Sequence, residues 1–114
     1  MSDINTEGIA IAPGVMETII TLAVRDVPGV ASVGAAPSGI RSLLAFKQST
    51  QGVVVQVSED DTVQVEVTIR VLSGHSLEAV AASVRSAVAD AVLTQVGLTV
   101  SRVDIKVDGI LFQD

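Results

Sequence analysis

Apolar and polar residues alternate in two stretches of the chain, which is the pattern of a β-strand with one buried side. The run TVQVEVTIRVL at residues 62–72 and the run RVDIKV at residues 102–107 both follow it. The alternation stops at Asp108-Gly109, where Gly109 predicts a bulge that returns Ile110 or Phe112 to the core side. The predicted core face of the two strands comprises Val63, Val65, Val67, Ile69, Val71, Val103, Ile105 and Val107.

Two other stretches carry the three- and four-residue spacing of amphipathic helices. The first follows Pro13 and ends before Pro28-Gly29, because proline is tolerated at the start of a helix and interrupts its interior. Thr21 is expected to face solvent on this helix. Its expected core residues are Val15, Ile19, Leu22 and Ala23, with Met16, Ile20 and Val27 beside them.

The second helix is bounded by clear capping residues. Ser76 is suited to the N-cap, and Gly97 suits the left-handed position after the last turn. Ala82 and Ala89 lie off the apolar stripe and give this helix a second, smooth surface. Its expected core residues are Leu77, Val80, Ala81, Val84, Val88, Ala91 and Val92.

Shorter aliphatic runs complete the fold prediction. Strands are expected in residues 8–12, 30–33 and 53–57, and the polar link at residues 58–61 predicts an antiparallel hairpin. The order β-α-β-β-β-α-β predicts an α+β fold: a small two-layer sandwich with a mixed β-sheet and both helices packed on one face. We expect one domain over residues 1–114, with residues 1–7 flexible. The amphipathic segment from Ile40 to Lys47 is expected to be a lid over the core, or else a docking turn.

Composition limits the possible partners. The net charge of −6 disfavours nucleic acid and anionic lipid, and the absence of cysteine excludes disulfides and thiolate metal sites. The segment MSDINTEG lacks the features of a signal peptide, so we expect a cytoplasmic protein with no transmembrane insertion. Hydrophobic residues make up 48% of a chain of only 114, which favours a homo-oligomer that buries the excess.

No residue pattern indicates catalysis, a metal or a cofactor. His75 reads as a turn residue, since no nucleophile pattern accompanies it, and the acidic run Glu59-Asp60-Asp61 reads as a solvated turn. The polar sheet face is either a solvated surface or a protein interface. As candidate interface residues it offers Gln64, Glu66, Thr68, Arg70, Arg102, Asp104 and Lys106, and the second helix offers Ala82 and Ala89.

Two signatures in this order resemble the alkaline shock protein family, also called the envelope stress response family. The N-terminal signature lies in GIAIAPGVMETIITLAVRDVPGVASV, at Gly8, Ile9, Ile11, Ala12-Pro13, Val15, Ile19, Ala23 and Gly29-Val30. The C-terminal signature lies in VRSAVADAVLTQVGLTVSRVDIKVDGILF, at Val84, Val88, Val92, Gly97-Leu98, Val100, Val103, Ile105, Val107, Gly109 and Phe112. The resemblance covers nearly the whole chain.

The resemblance implies a bacterial, cytoplasmic, non-enzymatic protein linked to cell-envelope homeostasis. By the same resemblance, some relatives are held at the inner face of the membrane by an anchored partner and self-associate, and others are associated with fatty-acid or lipid metabolism. We therefore expect a structural or adaptor protein that docks on a membrane-anchored or lipid-metabolism partner. The alternative is a module that senses an acyl chain or another metabolite at a subunit interface.

Overall fold

The computed structural model describes residues 4–6, 9–12, 14–34 and 52–112, and the elements below refer to that part of the chain. From β2 onwards their order is the predicted β-α-β-β-β-α-β, and the α+β class is confirmed. In chain order the elements are β1 (Ile4–Thr6), β2 (Ile9–Ile11), α1 (Val15–Arg25), β3 (Val30–Val33), β4 (Val53–Val57), β5 (Thr62–Leu72), α2 (Leu77–Val96) and β6 (Thr99–Leu111).

Strand β5 is the centre of a mixed sheet. Along one edge it pairs with β6 in parallel over its whole length, a pairing made possible by the crossover helix α2. Along the other edge it pairs antiparallel with two strands in turn, β4 opposite residues 63–67 and β3 opposite residues 69–71. The predicted hairpin between β4 and β5 is confirmed.

Strands β1 and β2 form a separate two-stranded antiparallel sheet, with Ile4 opposite Ile11. The sequence predicted β2 from its apolar run but not its partner, because β1 has one apolar residue followed by two polar ones. β1 lies within residues 1–7, which we expected to be flexible.

One face of the sheet and both helices enclose the core. The five core residues predicted for β5 are no more than 2% exposed. Of the three predicted for β6, Val103 and Ile105 are partly buried against the core, whereas Val107 is 43% exposed because β6 lies at the edge of the sheet. On α2 the buried stripe has strict four-residue spacing, and it adds Val96 to the predicted set. Leu77 was predicted to be buried but is 48% exposed, because it opens the helix and side chains on a helix lean toward the N-terminus. The buried stripe of α2 is Val80, Val84, Val88, Val92 and Val96.

Helix α1 presents a different face to the core from the predicted one. Val15 and Leu22 are 43% and 53% exposed, and Thr21, predicted to face solvent, is buried. Apolar residues cover more than half of the circumference of this helix, so periodicity alone does not fix its rotation; contact with the sheet and with α2 does. The residues that reach the core here are Met16, Ile20, Val24 and Val27.

Both predicted caps of α2 are confirmed. The Ser76 hydroxyl accepts a hydrogen bond from the Ala79 backbone N–H at 3.3 Å. Gly97 has a φ of +83°, and its N–H donates to the carbonyls of Val92 and Leu93, each at 3.0 Å. These caps fix where α2 ends and β6 begins.

Two glycines bring β3 and β4 to the same edge of β5. The Gly34 N–H donates to the Thr68 carbonyl at 2.7 Å, and the Thr68 N–H donates to the Gly52 carbonyl at 2.8 Å. Both glycines have φ near +97°, and a methyl group on Gly52 would lie 2.5 Å from the Gly34 Cα. The junction therefore requires glycine for its conformation and for its space. The predicted lid from Ile40 to Lys47 lies outside the described residues.

Candidate interaction surface along strand β6

The polar face of β5 and β6 brings the seven predicted sheet residues together. The parallel register aligns the two strands across this face, on the side opposite the helices. Arg70, at the far end, is paired with Gly109. The other aligned pairs are Gln64 with Arg102, Glu66 with Asp104, and Thr68 with Lys106.

Two ion pairs lie on this face. Arg102 Nε is 2.9 Å from Asp104 Oδ2 along β6, and Lys106 Nζ is 3.2 Å from Glu66 Oε2 across the strands. The four side chains are between 42% and 68% exposed. Exposed pairs of this kind contribute only about 0–1 kcal/mol, so their partners can be exchanged at little cost.

The predicted bulge lies at Asp108. The register shifts there, so that Ile69 is paired with Val107 while Arg70 is paired with Gly109. A methyl group on Gly109 would lie 3.6 Å from Arg70 Nε, so the arginine side chain lies across the glycine. The shift aligns Ile110 with Val71 on the core side, but Ile110 remains 44% exposed, and Phe112 is 79% exposed and does not return to the core.

One edge of β6 meets the small-residue side of α2. In the described part of the chain β6 pairs with β5 only. Arg85 Nε of α2 donates to the Val103 carbonyl of β6 at 3.5 Å, so this side of the helix overhangs the strand. Ala82 and Ala89 share that side, since residues 82, 85 and 89 follow helical i, i+3, i+7 spacing. The two predicted surfaces therefore lie along one edge of the molecule.

Sequence reasoning missed the role of Arg85 and the position of β6 at an edge. No periodicity reports either one, because both depend on which strands pair. The only available signal was the order of elements: the helix between β5 and β6 is a crossover that allows the two strands to pair in parallel.

The other candidates remain local features of turns. A methyl group on Gly29 would lie 3.1 Å from the His75 ring, so the exposed imidazole packs against that turn. Asp60 accepts hydrogen bonds from the Thr62 hydroxyl at 2.7 Å and from its N–H at 3.2 Å. These bonds, the hydroxyl first, lower the pKa of Asp60. No group of three potential metal ligands occurs among the described residues.

Helix α2 also carries a shallow, open groove lined by Ser86, Ala87, Ala89, Asp90 and Leu93. By length and composition α2 is the one described helix that could cross a membrane. Its valine stripe lies in the hydrophobic core formed with the sheet.

Comparison with known proteins agrees with the resemblance in the sequence. The uncharacterized protein YqhY of Bacillus subtilis (strain 168) is 31% identical over 105 residues, which are 91% of this chain and 77% of that protein. A doubly substituted MamM CTD has a similar fold, with a TM-score of 0.50 and 14% identity over 90% of this chain and 85% of that one. For a singly substituted form of MamM CTD the TM-score is 0.49 and the sequence identity is 16%, over 90% of this chain and 100% of that one.

Residues 1–112 match the model of a single family. The match includes both signatures, the helices that form the core and the whole of β6. The protein thus belongs to the alkaline shock protein family (ASP23 family, cell envelope-related function).

Proposed function

We propose that the protein is a non-enzymatic adaptor for the cell envelope. It acts in the cytoplasm, self-associates, and docks on a membrane-anchored or lipid-metabolism partner. The observation that carries the proposal is the exposed charged face of β5 and β6, which adjoins the small-residue side of α2 along one edge. The cell envelope-related function of the family supports the same role.

The charges and the apolar residues of this surface have different tasks. Mixed charges such as Arg70 and Arg102 set the register and the choice of partner, because they penalise a wrongly aligned surface. Apolar contacts supply most of the binding free energy. At the C-terminal end of β6 and just beyond it, the exposed aliphatic and aromatic side chains are Val107, Ile110, Leu111 and Phe112.

The test is the molar mass in solution, measured by light scattering over a concentration series. We expect a mass above that of an 11.7 kDa monomer. Reversing Arg70 and Arg102 to glutamate should leave the circular dichroism spectrum intact and abolish association. The control is Arg25→Glu at the end of α1, which should leave association unchanged.

Two outcomes would contradict the proposal in different ways. A constant monomer mass at all concentrations would exclude self-association. Association that survives the double reversal would exclude the sheet face and transfer the interface to Ala82 and Ala89, where arginine substitutions should then disrupt it.

A further inference from the structure

The charges along β6 alternate in sign. Arg102 and Lys106 are cationic, Asp104 and Asp108 are anionic, and they occupy every second position of the strand. From residue 102 to residue 108 the charges run plus, minus, plus, minus, and in the reverse direction they run minus, plus, minus, plus. A second copy lying antiparallel would therefore set each cation opposite an anion.

We propose that β6 pairs edge to edge with β6 of a second copy, antiparallel, about a two-fold axis through Ile105. Asp104 of each copy then faces Lys106 of the other in the regular part of the strand, residues 102–107, and Arg102 lies toward Asp108 in the bulge that follows it. The inference rests on the proposed function, because it names the surface and geometry of the self-association. Such a contact is isologous and closes as a dimer.

The edge of β6 has the length and exposure that strand addition requires. The strand is 13 residues long, and its second edge has no strand partner among the described residues. Free backbone N–H and C=O groups along an edge form a template for another strand. Pairing about Ile105 sets Val103 opposite Val107 on the helix side, and Val107 is 43% exposed in the single chain. The dimer would cover it.

The charge pattern selects this register among its neighbours. An axis through Asp104 would set Arg102 opposite Lys106, and an axis through Lys106 would set Asp104 opposite Asp108. Both place like charges directly opposite each other, which destabilises paired strands. A parallel, in-register pairing would oppose every residue to itself. The axis through Ile105 avoids all of these repulsions.

Helix α2 leaves room for the second copy. Ala82 and Ala89, on the side that overhangs β6, carry only methyl groups, so of these three residues only Arg85 has a large side chain at the strand edge. Arg85 Nε donates to the Val103 carbonyl at 3.5 Å, longer than the usual 2.7–3.2 Å of such hydrogen bonds. A bond this long is readily replaced by a backbone N–H of the second copy.

Charge swaps test the register. Asp104→Lys or Lys106→Asp alone sets like charges opposite each other at two places in the dimer, and each should weaken dimerisation at least tenfold by sedimentation equilibrium. The double variant Asp104→Lys/Lys106→Asp restores opposite charges and should dimerise like the wild type. The two single variants, mixed, should form a heterodimer for the same reason.

The matched controls are Arg25→Asp, Asp26→Lys and their double variant. These residues are adjacent and exposed at the end of α1, which contacts β3 and β4 and is remote from β6. These controls change the net charge by the same amounts as the Asp104 and Lys106 variants. If the position of the charge determines dimerisation, the controls should leave the dimer unchanged.

Cross-linking gives a second measurement that does not depend on charge. The chain has no cysteine, so any disulfide must join two introduced cysteines and shows that they lie close together. Opposed residues of antiparallel strands have Cα atoms about 4.5–5.5 Å apart, within reach of a disulfide. A mixture of Asp104→Cys and Lys106→Cys should cross-link on mild oxidation, whereas neither variant alone should. A mixture of Gln56→Cys with Lys106→Cys, with Gln56 on β4, is the negative control.

The outcomes separate the two proposals. A wild-type protein that stays monomeric overturns both the self-association and this geometry. A wild-type dimer that is unaffected by the single reversals, or that shows no cross-link between positions 104 and 106, overturns the edge pairing and leaves self-association through another surface.

Discussion

The Thr21 hydroxyl is buried in α1 without a hydrogen-bond partner in the described part of the chain. A buried hydroxyl that makes no hydrogen bond costs about 1–3 kcal/mol, whereas valine has the same shape and no polar atom. Thr21→Val should raise the free energy of unfolding by about 1–2 kcal/mol in urea denaturation. The control is Thr18→Val on the same helix, where the exposed hydroxyl donates to the Gly14 carbonyl at 2.9 Å. That change should be neutral or destabilising; a destabilised Thr21→Val would show that its hydroxyl is satisfied.

For single residues, the sequence predicts which side chains are buried best where the apolar pattern is strict. The alternation in β5 identified its core face, since a strand has only two sides. In α1 the helical spacing gave the wrong burial for Val15, Leu22 and Thr21. Apolar residues cover a broad arc of this helix, so several rotations about its axis are compatible with the pattern. The pairing of Arg70 with Gly109 depends on register, which no single segment encodes.

The edge of β5 shared by β3 and β4 depends on Gly34 and Gly52. Alanine at Gly52 would be strained at a φ of +98° and would overlap the Gly34 backbone. We expect Gly52→Ala to lower the free energy of unfolding by about 2–4 kcal/mol. Gly74→Ala is the matched control: Gly74 has a φ of +90° but nothing within 4 Å of an added methyl group, so about 1 kcal/mol is expected. Equal losses in the two variants would show that space at Gly52 does not matter.

The long elements follow from the sequence, and so do the short aliphatic strands β2, β3 and β4. β5 and α2 are long and periodic, and Ser76 and Gly97 mark the helix ends by their chemistry. Strand β1 escaped prediction because Ile4 is followed by polar Asn5 and Thr6, which form no apolar run. The sharing of one strand edge by β3 and β4 is a property of tertiary pairing, so only the structure reveals it.

Arg85 connects the edge of β6 to the assembly of the whole molecule. Its bond to the Val103 carbonyl occupies an edge group that a second strand would use. Arg85→Met should therefore tighten the dimer about two- to fivefold, the range of a weak hydrogen bond. Sedimentation equilibrium measures the change, and Arg25→Met is the control with the same loss of charge. Weaker association of Arg85→Met would mean that the arginine contributes to the interface.

The sequence also predicted the family and the set of candidate surface residues, but not their arrangement. It left the sheet face and the alanines of α2 as rival surfaces, since strand order is not visible in the chain. Only the pairing of β6 at an edge and the reach of Arg85 show that the two surfaces adjoin.

The contact between Gly34 and Gly52 also has a consequence for protein engineering. Gly34 and Gly52 hold β3 and β4 side by side through hydrogen bonds to Thr68, so these two glycines set the register, and the chain between them is expected to tolerate an insertion. The entropic cost of closing a loop grows only with the logarithm of its length. This is the place in the chain where a peptide tag or a reporter domain can be inserted while β6 is kept intact.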